Sequence, residues 1–206
     1  LIAAMVLAFS AIETKAQLPD GSTAPDWTFN DFTTGTSHNL YSYLNAGKVV
    51  VVDFSATWCG PCWNYHNTNA MENFYNQFGP PGTNQAMVFY IEADGATNDP
   101  CMTNSAGCTG GSQGNWITGT PYPMFNPVSA SINPVNTAYQ IGYYPTCYMI
   151  CPDKKTTKVD QYTLAQLTST MNAKCPPPTS ALDAGVSAVG TPNGFVCGTS
   201  FTPSVT

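Results

Sequence analysis

The chain has 206 residues and an acidic balance, Lys+Arg 6 against Asp+Glu 12, for a formal net charge of −6. Every basic side chain is a lysine and none could line a row of phosphates, so no nucleic-acid partner is expected. Charged residues are only 9 %, while Gly and Pro number 17 each and Cys 8, a composition that suits an exported protein with ordered loops and paired cysteines.

Leu1 to Ala11 is an apolar run too short to span a bilayer, followed by Glu13-Thr14-Lys15-Ala16-Gln17. It reads as part of a signal peptide, residues 1–16, cut after Ala16, with an ordinary N-terminal helix as the other reading. The mature protein is then expected without a membrane span, in the periplasm, secreted or at the cell surface. Trp27 to Phe32 alternates apolar and polar and predicts a short strand, Thr33 to Thr36 a turn, and His38 to Leu44 a short helical turn.

Val49-Val50-Val51-Val52-Asp53-Phe54 is a β-branched run and predicts a buried strand. It leads through Ser55-Ala56-Thr57-Trp58 to Cys59-Gly60-Pro61-Cys62, where a helical pattern begins. Two thiols thus stand at a helix N-terminus, whose unpaired N–H groups and partial positive charge favour a thiolate. Pro61 fits the first turn, where its missing N–H is not needed. Such a pair can be oxidised to a small ring and reduced again.

The spacing of Trp63, His66, Ala70, Met71, Phe74 and Phe78 predicts one helix from Pro61 or Cys62 to about Phe78, stopped by Gly79-Pro80-Pro81-Gly82. Ala86 to Ile91 is a second buried strand, parallel to the first through a right-handed crossover. Residues 93–140 form a long insertion with helix expected within 127–140, a small satellite core of Trp116, Tyr122 and Phe125, and Cys101 and Cys108 placed to staple the loop. Tyr143-Tyr144-Pro145-Thr146 opens a strand ending at Cys151, Pro152 to Lys155 is a hairpin turn, Thr157 to Tyr162 returns, and Leu164 to Lys174 is an amphipathic helix. Pro176-Pro177-Pro178 marks a stiff linker, residues 176–180, and 181–206 reads as the opening of an all-β segment too short to close a sheet.

His38-Asn39-Leu40 with Gly47-Lys48, Val52 to Cys62, and Tyr144-Pro145-Thr146 together resemble the thioredoxin superfamily, and within it the exported TlpA/ResA-like redoxins, over roughly 27–175. The tail is similar to Ig-like adhesive modules of proteins secreted by Bacteroidetes. The resemblance implies an α/β thioredoxin-like fold, a central mixed sheet flanked by helices, occupying 17–175 and carrying a long loop insertion. It implies Cys59 as nucleophile and the more exposed thiol, Cys62 as resolving thiol, and Asp53 as the buried acid that exchanges a proton with Cys62. Pro145 would be cis, presenting Tyr144 to an extended substrate chain, with Trp58, Gly60, Pro61, Tyr144 and Thr146 around it.

Within that fold, the strand ending at Cys151 and the helix ending at Cys175 finish at the same far end of the sheet, so these two are expected to bridge. Cys147 and Cys151 cannot, because four strand residues span ~13 Å against a limit near ~7 Å. Cys147 is left as a buried thiol and Cys197 pairs outside the chain given. His66 is expected on the helix surface.

The activity implied is thiol–disulfide exchange with protein dithiols or disulfides through a mixed disulfide. No nicotinamide or flavin motif is present, so no cofactor is expected and electrons come from an extracytoplasmic thiol protein. No metal is expected: a closed zinc site needs four ligands, and His38, His66 and the other cysteines lie at unsuitable spacings. A peroxidatic site would want an arginine, and there is none. A different reading stays open, in which the pair is a permanent staple and the domain a non-catalytic secreted or surface scaffold.

Overall fold

A computed structural model describes residues 17–175. The expected leader 1–16, the linker and Ig-like tail 176–206 and Cys197 lie outside the described residues.

The chain opens with a two-stranded antiparallel hairpin, β1 (Thr28–Asn30) and β2 (Ser37–Asn39), then α1 (Leu40–Asn45). The sequence reading took His38 and Asn39 into a helical turn. Instead Asn39 caps α1 from extended backbone, its side chain accepting the Ser42 N–H. The four valines lie in β3 (Val49–Ser55), which is buried along its whole length.

The dithiol segment enters α2 (Gly60–His66), but the single helix expected to Phe78 is broken. A second helix, α3 (Ala70–Phe78), starts after Asn67-Thr68-Asn69. Two side chains compete with helical hydrogen bonding, Asn67 Nδ2 donating to the Trp63 carbonyl and Thr68 Oγ1 to the Tyr65 carbonyl, and the Asn69 backbone takes a left-handed φ of 56°. The apolar spacing runs through the break because both helices cover the same sheet.

After β4 (Ala86–Glu92) the insertion holds α4 (Asp99–Met102), β5 (Met124–Phe125) and α5 (Ser129–Ala138), followed by β6 (Thr146–Ile150), β7 (Thr156–Lys158) and α6 (Leu164–Lys174). The five-stranded sheet has the order β5-β4-β3-β6-β7. β3, β4 and β5 run parallel, while β6 is antiparallel to β3 and β7 to β6. This is the mixed sheet with flanking helices of the thioredoxin-like fold. Trp116, Tyr122 and Phe125 belong to the main core and form no satellite: Trp116 packs on Tyr90 and Phe125 on Phe89, both from β4. Among the described residues no helix is long and apolar enough to cross a membrane.

Candidate active site

β3 delivers Asp53 and Ser55 into the core, then turns through Ala56, Thr57 and Trp58 into α2. Cys59 is the N-cap residue of α2, and its Sγ accepts the Cys62 N–H at 3.2 Å. Cys59 and Cys62 are joined by a disulfide, with Cα atoms 5.3 Å apart. Cys59 faces a cleft of about 550 Å3 lined by Trp58, Gly60, Pro61 and the loop Ile141 to Tyr144. Cys59 is the more exposed of the two, though only slightly: it is 4 % exposed and Cys62 1 %, with Trp58, Tyr143 and Tyr144 lining the same cleft.

Trp58, 42 % exposed, is fixed in place by its indole N–H, which donates to Asp94 Oδ2 at 2.8 Å. Its ring meets that of Tyr144 edge-on, centroids 6.0 Å apart. The Tyr144–Pro145 bond is cis, and Tyr144 lines the cleft. Thr146 does not reach it. Its side chain is buried in β6, where Oγ1 donates to the Tyr143 carbonyl and accepts from Gln17 Nε2.

Asp53 is buried on β3, opposite Cys147 of β6. Burial pushes its carboxyl up to about 6, against hydrogen bonds from Ser55 Oγ at 2.6 Å and the Cys147 thiol at 3.4 Å. Cys147 is a free, buried thiol whose pKa burial and the nearby Asp53 charge drive well above the usual cysteine range. Cys101–Cys108 and Cys151–Cys175 are disulfides, with Cα separations of 4.6 and 5.0 Å. Among the described residues no cluster of His, Cys, Asp or Glu is assembled for a metal ion.

His66 is not on the surface. It lies against Trp63 and Trp116, with centroids 5.3 and 5.0 Å away, and its Nδ1 is 3.3 Å from Glu72 Oε1. Burial pulls its pKa down to about 4, which keeps the ring neutral beside the Glu72 carboxyl, whose Oε1 accepts from the Tyr122 hydroxyl.

Sequence reasoning missed four neighbours of the site. Glu92, at the end of an otherwise apolar strand, accepts the Thr57 N–H at 2.7 Å. Asp94 holds Trp58, and Gln113 donates its side chain to the Trp58 carbonyl at 2.8 Å. Tyr143, 48 % exposed, lines the cleft and donates its hydroxyl to Asp160. An acid closing a run as apolar as Ala86 to Ile91 was the signal for Glu92. Nothing local marks Gln113.

A dithiol where the central strand of a mixed sheet hands over to a helix defines the class: this is a thioredoxin-like oxidoreductase. The family model that matches the chain, over residues 19–125, is that of the redoxins. The chain belongs to the redoxin family. Similar solved structures bear out the fold. One is the thioredoxin domain of a thiol-disulfide oxidoreductase from Bacteroides vulgatus, 19 % identical, covering 76 % of this chain and 97 % of that one with a TM-score of 0.55. Another is a thiol:disulfide interchange protein from Bacteroides sp., 20 % identical, with coverage of 79 % and 94 % and a TM-score of 0.55. A third, described as a thiol:disulfide interchange protein of Chlorobium tepidum, is 20 % identical over 76 % of this chain and 97 % of that one, with a TM-score of 0.53. No curated protein matches the chain.

Proposed function

We propose that the protein is an exported thiol–disulfide oxidoreductase that exchanges the Cys59–Cys62 dithiol and disulfide with protein substrates. The observation that carries this reading is the redox-capable pair opening through Cys59 onto a cleft lined by Trp58 and Tyr144; the strand that leads to it, β3, also carries a buried carboxyl, Asp53, raised to about 6. In the reducing direction the Cys59 thiolate attacks a substrate disulfide, forming a mixed disulfide and releasing one substrate thiolate. Cys62 gives its proton to Asp53 and attacks Cys59 Sγ. The mixed disulfide breaks, the second substrate thiolate leaves, and two electrons have passed to the substrate. An extracytoplasmic thiol protein then restores the dithiol. The catalytic unit in this reading is residues 17–175, joined by the linker 176–180 to the Ig-like segment, in the periplasm or at the cell surface.

Gly60-Pro61 between the cysteines points to a reductant, with a potential nearer thioredoxin's roughly −270 mV than DsbA's roughly −120 mV. Equilibration with glutathione measures it, and a strongly oxidising value overturns the direction. Insulin reduction tests the activity itself: turnover by the wild-type protein and none by Cys59→Ser is the expected result. The low exposure of the two cysteine residues favours a second reading, the non-catalytic stapled scaffold. Absence of turnover with every thiol donor would establish it.

A further inference from the structure

Glu92 is fully buried and lies opposite Ser55 in the parallel pairing of β3 with β4. A carboxylate is costly there unless donors surround it. It has three: the Thr57 N–H on Oε2 at 2.7 Å, the Asp94 N–H on Oε1 at 3.0 Å, and the Tyr90 hydroxyl on Oε2 at 3.3 Å. Two of these donors lead to the dithiol. Thr57 stands two residues before Cys59, and Asp94 holds the Trp58 indole.

The insertion grips the same peptide from the other side. Thr57 Oγ1 donates to the Gly111 carbonyl at 2.9 Å, Gln113 N–H donates to the Thr57 carbonyl at 2.9 Å, and the Gln113 side chain donates to the Trp58 carbonyl. Glu92 is the group that joins the Thr57 amide to the arm holding Trp58. A glutamine could not replace it, because its NH2 would face one of two N–H donors.

We propose that Glu92 is a positioning residue for the dithiol, setting how Cys59 meets the cleft by holding the Thr57 amide and, through Asp94, the Trp58 indole. This rests on the oxidoreductase reading above.

The anchor is sensitive to pH. Burial lifts the Glu92 carboxyl to about 7, Asp94 pushes the same way, and the amide donors of Asp94 and Thr57 and the Tyr90 hydroxyl pull against them. The groups facing it are Tyr90 on its own strand and Asp94 just beyond; its charge also reaches Tyr144, whose phenol is raised chiefly by burial and then by the charges of Asp94 and Glu92. Asp53 acts on the same Tyr90 from β3. Above neutral pH the carboxylate accepts all three hydrogen bonds. Protonation removes one acceptor position and slackens the turn.

The Thr57 and Asp94 amide resonances of the full-length oxidised protein, followed by NMR against pH, are expected to inflect together near 7. In the reduced protein, the rate of Cys59 alkylation against pH should show a second inflection at that midpoint besides that of the thiol itself. Glu92→Gln should remove both inflections and slow insulin reduction about tenfold, as when a buried hydrogen bond to a charged group is lost. Amides with no common midpoint, or a Glu92→Gln protein with the wild-type Cys59 profile, overturn the proposal. Should Glu92→Gln fail to fold, agreement or disagreement of the two wild-type midpoints decides. A protein inert toward insulin refutes the oxidoreductase reading alone, since amide titration and alkylation do not require turnover.

Discussion

Burial lifts the Asp53 carboxyl to about 6, while the Ser55 hydroxyl and the Cys147 thiol pull it down by bonding to the ionised form. Ser55→Ala is therefore expected to move the Asp53 midpoint further up, visible as an upward shift in the pH profile of insulin reduction. The raised value also fixes a stability trend. A folded-state pKa above the unfolded one gives a contribution fully present below the unfolded value and lost as pH rises through the folded one. Wild type should thus lose stability relative to Asp53→Asn between pH 4 and 7, by roughly 3 kcal/mol at about 1.4 kcal/mol per unit. Urea unfolding at both pH values measures it, and a constant difference between the two proteins would show that Asp53 is not held neutral. At this scale the sequence was informative wherever chemistry and position coincide, as at Asp53 on a valine strand six residues before Cys59. It was silent on Gln113, whose bond to the Trp58 carbonyl spans a separation of 55 residues and leaves no pattern.

The elements were readable where composition is extreme. Four valines make β3, and the apolar run 86–91 makes most of β4. The division of α2 from α3 was missed because apolar spacing reports which face is buried, not whether the backbone is continuous. Asn67 and Thr68 held that information in side chains that bond nearby backbone, and Asn69 in its tolerance of a left-handed φ. Asn69 makes no side-chain cap, so its left-handed φ of 56° is its main constraint. Asn69→Gly should leave stability unchanged or raise it, while Asn69→Ala should cost about 1 kcal/mol, both read by denaturant unfolding. Equal effects would mean that the break is held by packing alone. His66 was misplaced for a related reason: the partner that buries it, Trp116, comes from the insertion, whose path the periodicity of α2 cannot reveal.

Across the whole molecule, the strand-helix-strand order was enough to give the parallel pair β3 and β4, and the resemblance the mixed sheet around it, but not the insertion's route back over the turn before Cys59. That route returns β5 to the sheet edge beside β4 and places Gly111 and Gln113 on Thr57. The Cys151–Cys175 bridge closes α6 onto β6 across a separation of 24 residues. Replacing both by serine should lower unfolding stability by about 3 kcal/mol, the loop-closure value for that length, without abolishing insulin reduction. An unchanged stability would show that α6 docks as firmly by packing alone.

The same bridge sits where the chain leaves the described domain toward its Pro-rich continuation. Tension applied through that continuation would reach Cys175 and pass across the sulfurs into β6, an interior strand of the sheet between β3 and β7. It would not first peel α6 away turn by turn. A pull that would otherwise unzip the last helix is instead borne by β6 and the β3 and β7 hydrogen bonds on either side of it, and β6 is the strand whose other end runs into Pro145 and the Tyr144 that lines the cleft.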